Sequence, residues 1–213
     1  MAKVDEFFEF LKNNYKDNEP ILLSEIKIPG IKDVSVRQQL KKLTQDGRIK
    51  RFDSGVYFIP RKSMFTFGSE ISVEEVLRKK YLMDGNDRCG YVGGLTFANQ
   101  IGLTTQLPSV YEIYTNKTAM DYREVMVANI RVIIRKPYVK VDGKNYAILQ
   151  FLNLMKEIVE VSELEGAALT DRLVDYLKQK QIRFDALKPF LPYYPDRIYK
   201  NMYEVGLLHG ISA

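Results

Sequence analysis

The chain has 213 residues and a net charge of +5, a length that suffices for two small domains without disulfides or metal ions. Its single cysteine and single histidine, Cys89 and His209, exclude an internal disulfide and leave too few soft ligands for a structural zinc site. The hydrophobic share of 46% argues against disorder, no apolar run is long enough to span a membrane, and the opening MAKVDEFFEF lacks the pattern of a secretion signal, so we expect a folded cytoplasmic protein.

Three helices are predicted in the first part of the chain. A first helix over residues 3–14 is indicated by apolar residues at helical spacing, namely Val4, Phe7, Phe8 and Leu11. Pro20 then interrupts the chain, and residues 21–26 are expected to form a short second helix. Pro29-Gly30 predicts a turn before the third helix, which the first helix should support.

The third helix carries the strongest local signals. Ser35 followed three residues later by Gln38 matches a capping box, which predicts a helix that starts at Val36. Gly47 predicts its end, because a helix commonly leaves through a left-handed residue. The apolar stripe of this helix should pack inward and consists of Val36, Leu40 and Leu43.

The opposite face of the third helix carries only amide and ammonium groups, on Gln38, Lys41, Lys42 and Gln45. Amides can pair with adenine, and lysines can meet guanine or phosphate, so this face has the chemistry to read the major groove of DNA. Because Gln38 is also the predicted capping partner, Arg37 on the flank is a second candidate reader. The alternative is an ordinary solvated helix face, since these residue types are common on surfaces.

A hairpin edged with cations is predicted after the third helix. Residues 48–52 alternate charged and apolar side chains, and Asp53-Ser54-Gly55 predicts a turn. Residues 56–59 then return as a strand that Pro60 stops.

Positive charge is concentrated on the third helix and this hairpin. Residues 34–62 contain eight Lys or Arg and two acidic residues, a balance of +6, whereas residues 1–33 contain five and seven. We therefore predict a winged helix-turn-helix domain over residues 1–62 that binds double-stranded DNA, with a protein-binding winged helix as the alternative. The candidate DNA contacts are Ser35, Arg37, Gln38, Lys41, Lys42, Gln45, Lys50, Arg51, Arg61 and Lys62.

Residues 63–213 are predicted to form a second domain of mixed α/β structure, so the chain as a whole belongs to the α+β class. Its first helix should begin after a capping box of Ser72 and Glu75 and continue to about Met83. The turn-forming residues 84–87 should end that helix.

A glycine-rich run at residues 90–94 precedes a helix that should end before Gly102. Its spacing matches neither a P-loop nor a dinucleotide-binding fingerprint, so we attribute these glycines to close helix packing. A small antiparallel sheet is predicted from three β-branched runs, at residues 110–115, 124–127 and 130–135. Asp142-Gly143 has the composition of a hairpin turn, and later helices are expected at residues 145–159, 171–179 and 195–208.

We predict that the protein is not an enzyme and has neither a cofactor nor a metal site. A nucleotidyltransferase would need a metal-binding carboxylate pair after Gly68-Ser69, and the sequence lacks that pair. Asp121 with Asp142-Gly143-Lys144 resembles part of a nuclease site, but a turn is the better explanation of the second stretch. His209 near a helix end is expected to interact with the last carbonyl groups.

An aromatic stretch near the end of the chain is a further candidate nucleic-acid surface. Tyr193, Tyr194 and Tyr199, with Arg197 and Lys200, have the residue types of a base-stacking platform. Tyrosines at a helix start are more often part of the core, and we favour that interpretation here.

Three stretches of the chain together resemble a known family. They are GVYFIP at 55–60 with Phe67-Gly68, YVGGLTFANQIGLTTQLP at 91–108, and FLPYYP at 190–195. They resemble the AbiEi-type antitoxins and related transcriptional regulators, and residues 102–108 are the most specific because they match the family pattern G-L-T-x-Q-x-P. Gly93, Gly94 and Phe97 depart from the family pattern, in which serine or alanine is more usual.

The resemblance implies a transcriptional autorepressor and antitoxin of a bacterial type IV toxin-antitoxin system, active in phage defence by abortive infection. Its winged helix would repress the operon, and its second domain would neutralise a nucleotidyltransferase toxin without forming a stable complex with it. Because helix-turn-helix modules usually bind paired half-sites, we expect the operator to be an inverted repeat. The alternatives are a stand-alone winged-helix regulator and, from a different class, a nucleic-acid-processing enzyme.

Overall fold

The computed structural model describes residues 2–61 and 70–208. The chain divides into two compact units, Met1–Lys80 and Tyr81–Ala213, here called the N-terminal and C-terminal units. The predicted boundary between residues 62 and 63 lies outside the described residues, and the division falls later in the chain than that. Among the described helices, none is long and apolar enough to cross a membrane.

The N-terminal unit combines two long helices with a three-stranded antiparallel sheet. Its main elements are α1 (Ala2–Asn14), β1 (Ile21–Leu22), α2 (Asp33–Gln45), β2 (Lys50–Asp53) and β3 (Val56–Phe58). The strand order is β1-β3-β2, so the hairpin of β2 and β3 pairs back onto the first strand. A shorter helix, α3 (Val73–Leu77), follows and continues as a π-helical turn, Arg78–Leu82, within which the N-terminal unit ends at Lys80.

The core of the N-terminal unit lies between α1, α2 and the sheet. The predicted inward stripe of α2 is confirmed, because Val36, Leu40 and Leu43 are all buried. Phe7 and Leu11 of α1 pack in the same cluster. Each such side chain stabilises the fold by about 1.5–3 kcal/mol through burial, so α2 is fixed mainly by this face and its other side is left to solvent.

The predicted capping box at Ser35 is wrong. Helix α2 begins at Asp33, and the residue before it, Lys32, has the extended backbone of a cap without a capping side chain. Ser35 is the third residue of the helix, and its amide N–H donates to the Lys32 carbonyl at 2.9 Å. The predicted end is confirmed, since Gly47 is left-handed (φ +69°) and the next N–H, that of Arg48, donates to the Leu43 carbonyl at 3.0 Å.

The predicted second helix is also wrong. Residues 21 and 22 form strand β1, in which Ile21 pairs with Tyr57, and a single 3-10 turn, Leu23–Glu25, follows. Six residues after a proline gain little from helix formation, whereas the apolar pair can complete a sheet edge and bury both side chains. The predicted hairpin is confirmed, with Ser54-Gly55 at its turn and a bulge between Arg51 and Asp53.

The C-terminal unit contains a two-stranded hairpin, a four-stranded sheet and four α-helices among its described residues. Its strands are β4 (Met83–Asp84), β5 (Asp87–Arg88), β6 (Gly90–Gly93), β7 (Val110–Thr115), β8 (Arg123–Val127) and β9 (Ile130–Arg135). Its helices are α4 (Gly94–Gln100), α5 (Tyr146–Val161), α6 (Gly166–Gln179) and α7 (Arg197–Glu204). Helix α5 is the centre of the unit, because its Leu149, Phe151, Leu152 and Met155 are all buried in the main core cluster.

The four-stranded sheet has the order β6-β7-β9-β8. The predicted antiparallel pairing is confirmed for β8 with β9, but β7 and β9 pair in parallel. Strand β6, which was not predicted, pairs antiparallel with β7. The sheet is therefore mixed, because β8 turns back along the outer side of β9 instead of filling the place beside β7. The capping box at Ser72 and Glu75 is confirmed in both directions.

Two turn and glycine predictions need correction. Gly90 and Gly93 belong to a strand, and a Cβ at Gly93 would lie 2.7 Å from the Tyr114 ring, so strand packing and not helix packing requires this glycine. Asp142-Gly143 is not a hairpin turn. It lies just before α5, where the Asp142 carboxylate accepts the N–H groups of Lys144 and Asn145 at 2.8 Å each.

Candidate nucleic-acid interface

Helix α2 presents a polar face that no other described part of the N-terminal unit covers. Its period places Gln38, Lys41, Lys42 and Gln45 opposite the buried stripe, and all four side chains are exposed. Arg37, on the flank, is exposed too. The expected separation of an inward apolar face from an outward amide and ammonium face is therefore present in the structure.

The cations of this face are not used to hold the fold together. Among the described residues, neither Arg37, Lys41 nor Lys42 makes an ion pair within 4.0 Å, and the same is true of Lys50 at the start of the hairpin. A cation without an acidic partner has its hydrogen-bond donors available for an external anion.

Arg48 provides the contrast within the same unit. Its guanidinium contacts Asp5 of α1 at 2.6 Å and lies 4.0 Å from the centre of the Phe8 ring. Both contacts tie the end of α2 to α1. Arg48 therefore adds to the local positive charge, but its side chain stabilises the packing of the unit and is not a candidate DNA contact.

The hairpin cations are placed in different ways. Lys50 is half-buried and Arg51 is exposed, with the Arg51 side chain donating to the Asp53 carbonyl at 3.2 Å. The backbone of Arg61 is held by Asn18, whose side-chain oxygen accepts the Arg61 N–H at 3.1 Å. Lys62, the last predicted contact, lies outside the described residues.

Ser35 and Gln38 take roles other than those predicted. Ser35 is half-buried in the first turn of α2, and no capping bond joins it to Gln38. The Gln38 side chain is exposed and free of the capping role that the sequence suggested. It is therefore as available to a partner as Gln45.

A groove of about 410 Å³ lies beside this face and was not predicted. Its lining includes Arg37 and Asp33 of α2, the hairpin turn Ser54-Gly55, and Lys27, which follows the 3-10 turn. Lys27 follows the predicted second helix of residues 21–26, and no prediction was made for it. The groove brings a third structural element, with its own cation, next to the helix and the hairpin.

The suspected nuclease residues do not form a metal site. The Asp142 carboxylate is used by two backbone N–H groups at the start of α5, and Asp121 is exposed in the segment between β7 and β8. In the part of the chain that the structure describes, no three His, Cys, Asp or Glu side chains are grouped so that they could bind a metal ion. Gly68-Ser69 and His209 lie outside the described residues.

The tyrosines near α7 separate into two groups. Tyr194 is buried, and its hydroxyl donates to the Leu149 carbonyl at 3.1 Å, which makes it part of the core. Tyr193 and Tyr199 are 59% and 44% exposed. Lys200 pairs with Glu204 at 3.6 Å, so the cations beside the exposed rings are partly neutralised.

Two side chains outside the stretch GLTTQLP at residues 102–108 hold its middle in place, namely Asn99, whose amide donates to the Thr104 and Gln106 carbonyls at 3.3 Å and 3.1 Å, and Glu163. Its Oε2 accepts the Thr105 N–H at 2.7 Å and the Thr105 hydroxyl at 3.0 Å, and its Oε1 accepts the Gln106 amide at 3.1 Å. The Glu163 N–H donates back to the Leu103 carbonyl at 2.8 Å. These bonds, led by that of the Thr105 backbone, lower the pKa of Glu163.

Comparison with known proteins adds no relative. No protein-family model matches this chain, and no curated protein matches it either.

Proposed function

We propose that this protein is a sequence-specific DNA-binding repressor whose N-terminal unit is a winged helix. A helix, a strand, a turn, a second long helix and a hairpin that pairs back onto the first strand form the arrangement expected of that motif. Helix α2 would enter the major groove, and the hairpin would act as the wing. The 3-10 turn Leu23–Glu25 stands where the motif's middle helix is expected.

One observation carries the proposal, namely the exposed face of α2 with cations that have no acidic partner among residues 2–61 and 70–208. Gln38 and Gln45 supply paired donors and acceptors, while Lys41 and Lys42 supply positive charge. Side chains of this kind read base edges, and Lys50 and Arg51 on the wing would contact phosphates. Helix-turn-helix proteins usually bind two half-sites about 34 Å apart, so we expect an inverted-repeat operator and cooperative occupancy.

The role of the C-terminal unit is proposed from the resemblance to AbiEi-type antitoxins. In this proposal the protein represses its own operon and opposes a nucleotidyltransferase toxin in a cytoplasmic phage-defence system, without a stable complex with the toxin. The ordered GLTTQLP segment around Glu163 supports a structural role for the most specific part of that resemblance. The stand-alone regulator remains the second candidate, since it uses the same DNA-binding surface.

The test is a gel shift of the full chain on the DNA upstream of its own gene, compared with a scrambled duplex of equal length. We expect a shift on the upstream duplex at protein concentrations at which the scrambled duplex stays free. Absence of binding to either duplex at low salt, with a folded circular dichroism spectrum, would overturn the proposal. A nucleotidyltransferase gene next to this one would favour the antitoxin over the solitary regulator.

A further inference from the structure

Helix α2 begins earlier than the sequence predicts, and the added turn places an apolar side chain on its polar face. The helix starts at Asp33 instead of Val36. At about 100° per residue, Val34 lies about 160° round from the buried Val36, between the directions of Lys41 and Gln45. The exposed face of α2 therefore combines amide and ammonium groups with a valine at its N-terminal end.

The fold does not use the Val34 side chain. It is 66% exposed, and in the part of the chain that the structure describes it belongs neither to the core cluster of the N-terminal unit nor to the partly buried side chains packed against that cluster. Valine is also a weaker helix former than alanine or glutamate, so helix stability gives no reason for it at an exposed position. The apolar group is thus available to an external partner.

The chemistry of the proposed partner includes one apolar group that Val34 can meet. In the major groove of DNA, apolar side chains pack against the 5-methyl group of thymine. The N-terminal residues of a recognition helix contact base edges, and Val34 is the second residue of α2. A β-branched side chain has one strongly preferred χ1 rotamer in a helix, so Val34 loses little conformational freedom when it is packed against a base.

Gln38 lies one turn further along the same face and fits a nearby base. Four residues rise about 6 Å along a helix, which is close to two base-pair steps of about 3.4 Å each when the helix follows the groove. A glutamine amide pairs with the N6 and N7 edge of adenine. Val34 and Gln38 together therefore fit a thymine and an adenine within about two base pairs of each other.

We propose that Val34 is a specificity-determining residue that packs against the 5-methyl group of one thymine in each half-site of the operator. This inference rests on the proposed DNA-binding function, and it extends base reading by α2 beyond the polar side chains. Uracil has the same hydrogen-bonding groups as thymine and lacks only the methyl group. Exchange of these two bases therefore isolates the contact with Val34.

The experiment is a gel-shift titration of the full chain on the upstream duplex, with each thymine in turn replaced by deoxyuridine. We expect replacement at one position per half-site to weaken binding by the parent about threefold to fivefold, the value of one buried methyl group. 5-Bromodeoxyuridine at that position should restore binding, because bromine fills the space of the methyl group. Val34→Ala should weaken binding to the unmodified duplex by a similar factor and should be indifferent to that one replacement.

Val159→Ala is the matched control variant. Val159 is 69% exposed on α5 of the C-terminal unit, so the same atoms are removed at nearly the same exposure but not from α2. This variant should bind the unmodified duplex and lose affinity for the deoxyuridine duplex as the parent does. Circular dichroism checks that both valine variants are folded.

Three results would overturn the role of Val34 alone. The first is that no single deoxyuridine weakens binding by the parent, and the second is that Val34→Ala binds the unmodified duplex as the parent does. The third is that Val34→Ala binds more weakly but still loses affinity at the same thymine, because Val34 would then contact another group. Failure of the parent to bind the unmodified upstream duplex is a different outcome, since it overturns the proposed function and the role of Val34 with it.

Discussion

The charged side chains on the exposed face of α2 are unpaired among the described residues, whereas those in the sheet of the C-terminal unit are paired and partly enclosed. On α2, Lys41 and Lys42 are exposed and have no acidic partner among the described residues. In the sheet, the Glu112 carboxylate accepts bonds from the Arg135 guanidinium and from the Tyr114 hydroxyl, the latter at 2.8 Å. The first arrangement leaves charge available to a partner, and the second uses charge to order the fold.

The enclosed position of the charges in the sheet also changes how the neighbouring tyrosine titrates. Burial, followed by the neighbouring Glu112 carboxylate, raises the pKa of Tyr114 well above its ordinary value, so this hydroxyl remains a neutral donor. Lys156 stands on the same side of the sheet, 2.8 Å from Glu157 and 3.3 Å from the Tyr114 hydroxyl. Charge that is enclosed and paired in this way is a poor candidate for contact with an external partner.

The largest expected effect on stability comes from removing the shared acceptor in the sheet. Glu112→Ala should lower the free energy of unfolding by about 2 kcal/mol, because Arg135 and the Tyr114 hydroxyl lose a partner in a half-buried place. Urea denaturation measures it. Glu124→Ala removes a comparable but exposed pair with Arg131 and should change stability little. Equal losses in the two variants would contradict the distinction between enclosed and exposed charge.

The next effect concerns base reading by α2. Lys41→Ala or Lys42→Ala should weaken binding to the operator by about 1–3 kcal/mol and change binding to random DNA little, because these side chains face base edges in the proposed complex. Titrations against operator and scrambled duplexes measure the difference. Stability should be unaffected, since neither lysine forms an ion pair within the part of the chain that the structure describes. A parent-like affinity of both variants on both duplexes would mean that this face is only a solvated surface.

The hairpin should affect affinity without affecting choice of sequence. Lys50→Ala or Arg51→Ala should weaken binding to both duplexes by similar factors, because phosphates are the same in every sequence. Repeating the titrations at several salt concentrations should show that the slope of log affinity against log salt becomes shallower by roughly one for each lost phosphate contact. If these variants lost affinity for the operator duplex alone, Lys50 and Arg51 would contact bases and not phosphates.

Features set by neighbours in the sequence were predicted well. The buried stripe of α2, its end at Gly47, the hairpin and the capping box at Ser72 all follow from spacing within a few residues. The same pattern at Ser35 misled, because a cap depends on where the helix begins. The turn at Pro29-Gly30 ends early enough for the helix to start at Asp33. The negative charge of the Asp33 carboxylate also stabilises the positive end of the helix dipole.

Features set by distant partners were not predicted. Strand β1 has two residues and exists only because β3 lies beside it, and the parallel pairing of β7 with β9 depends on where β8 goes. Lys27 lies near Arg37 and the hairpin turn only in the folded unit, so the sequence did not indicate that it belongs to the candidate interface. Glu163 lies almost sixty residues from the segment that it orders, so spacing gave no signal of it.

The smallest expected effect is the pH dependence that Glu163 brings to the C-terminal unit. The Thr105 N–H and then the Gln106 amide stabilise its charged form and lower its pKa below the ordinary 4.5. A lowered carboxyl pKa stabilises the fold above the unfolded-state value, and that contribution is lost as the pH falls through the folded-state value. Glu163→Gln keeps the size of the side chain but has no charge to lose.

Thermal unfolding of the parent and of Glu163→Gln on either side of the ordinary carboxyl pKa of 4.5, from about pH 3 to about pH 7, measures this contribution. We expect the parent to be the more stable protein at the upper end and the gap to shrink as the pH falls below the ordinary value. Glu160→Gln, on the exposed side of α5, is the matched control and should follow the parent throughout. A gap that stays constant with pH would show that the Thr105 and Gln106 bonds act through shape alone, and that the charge on Glu163 contributes nothing to the order of the GLTTQLP segment.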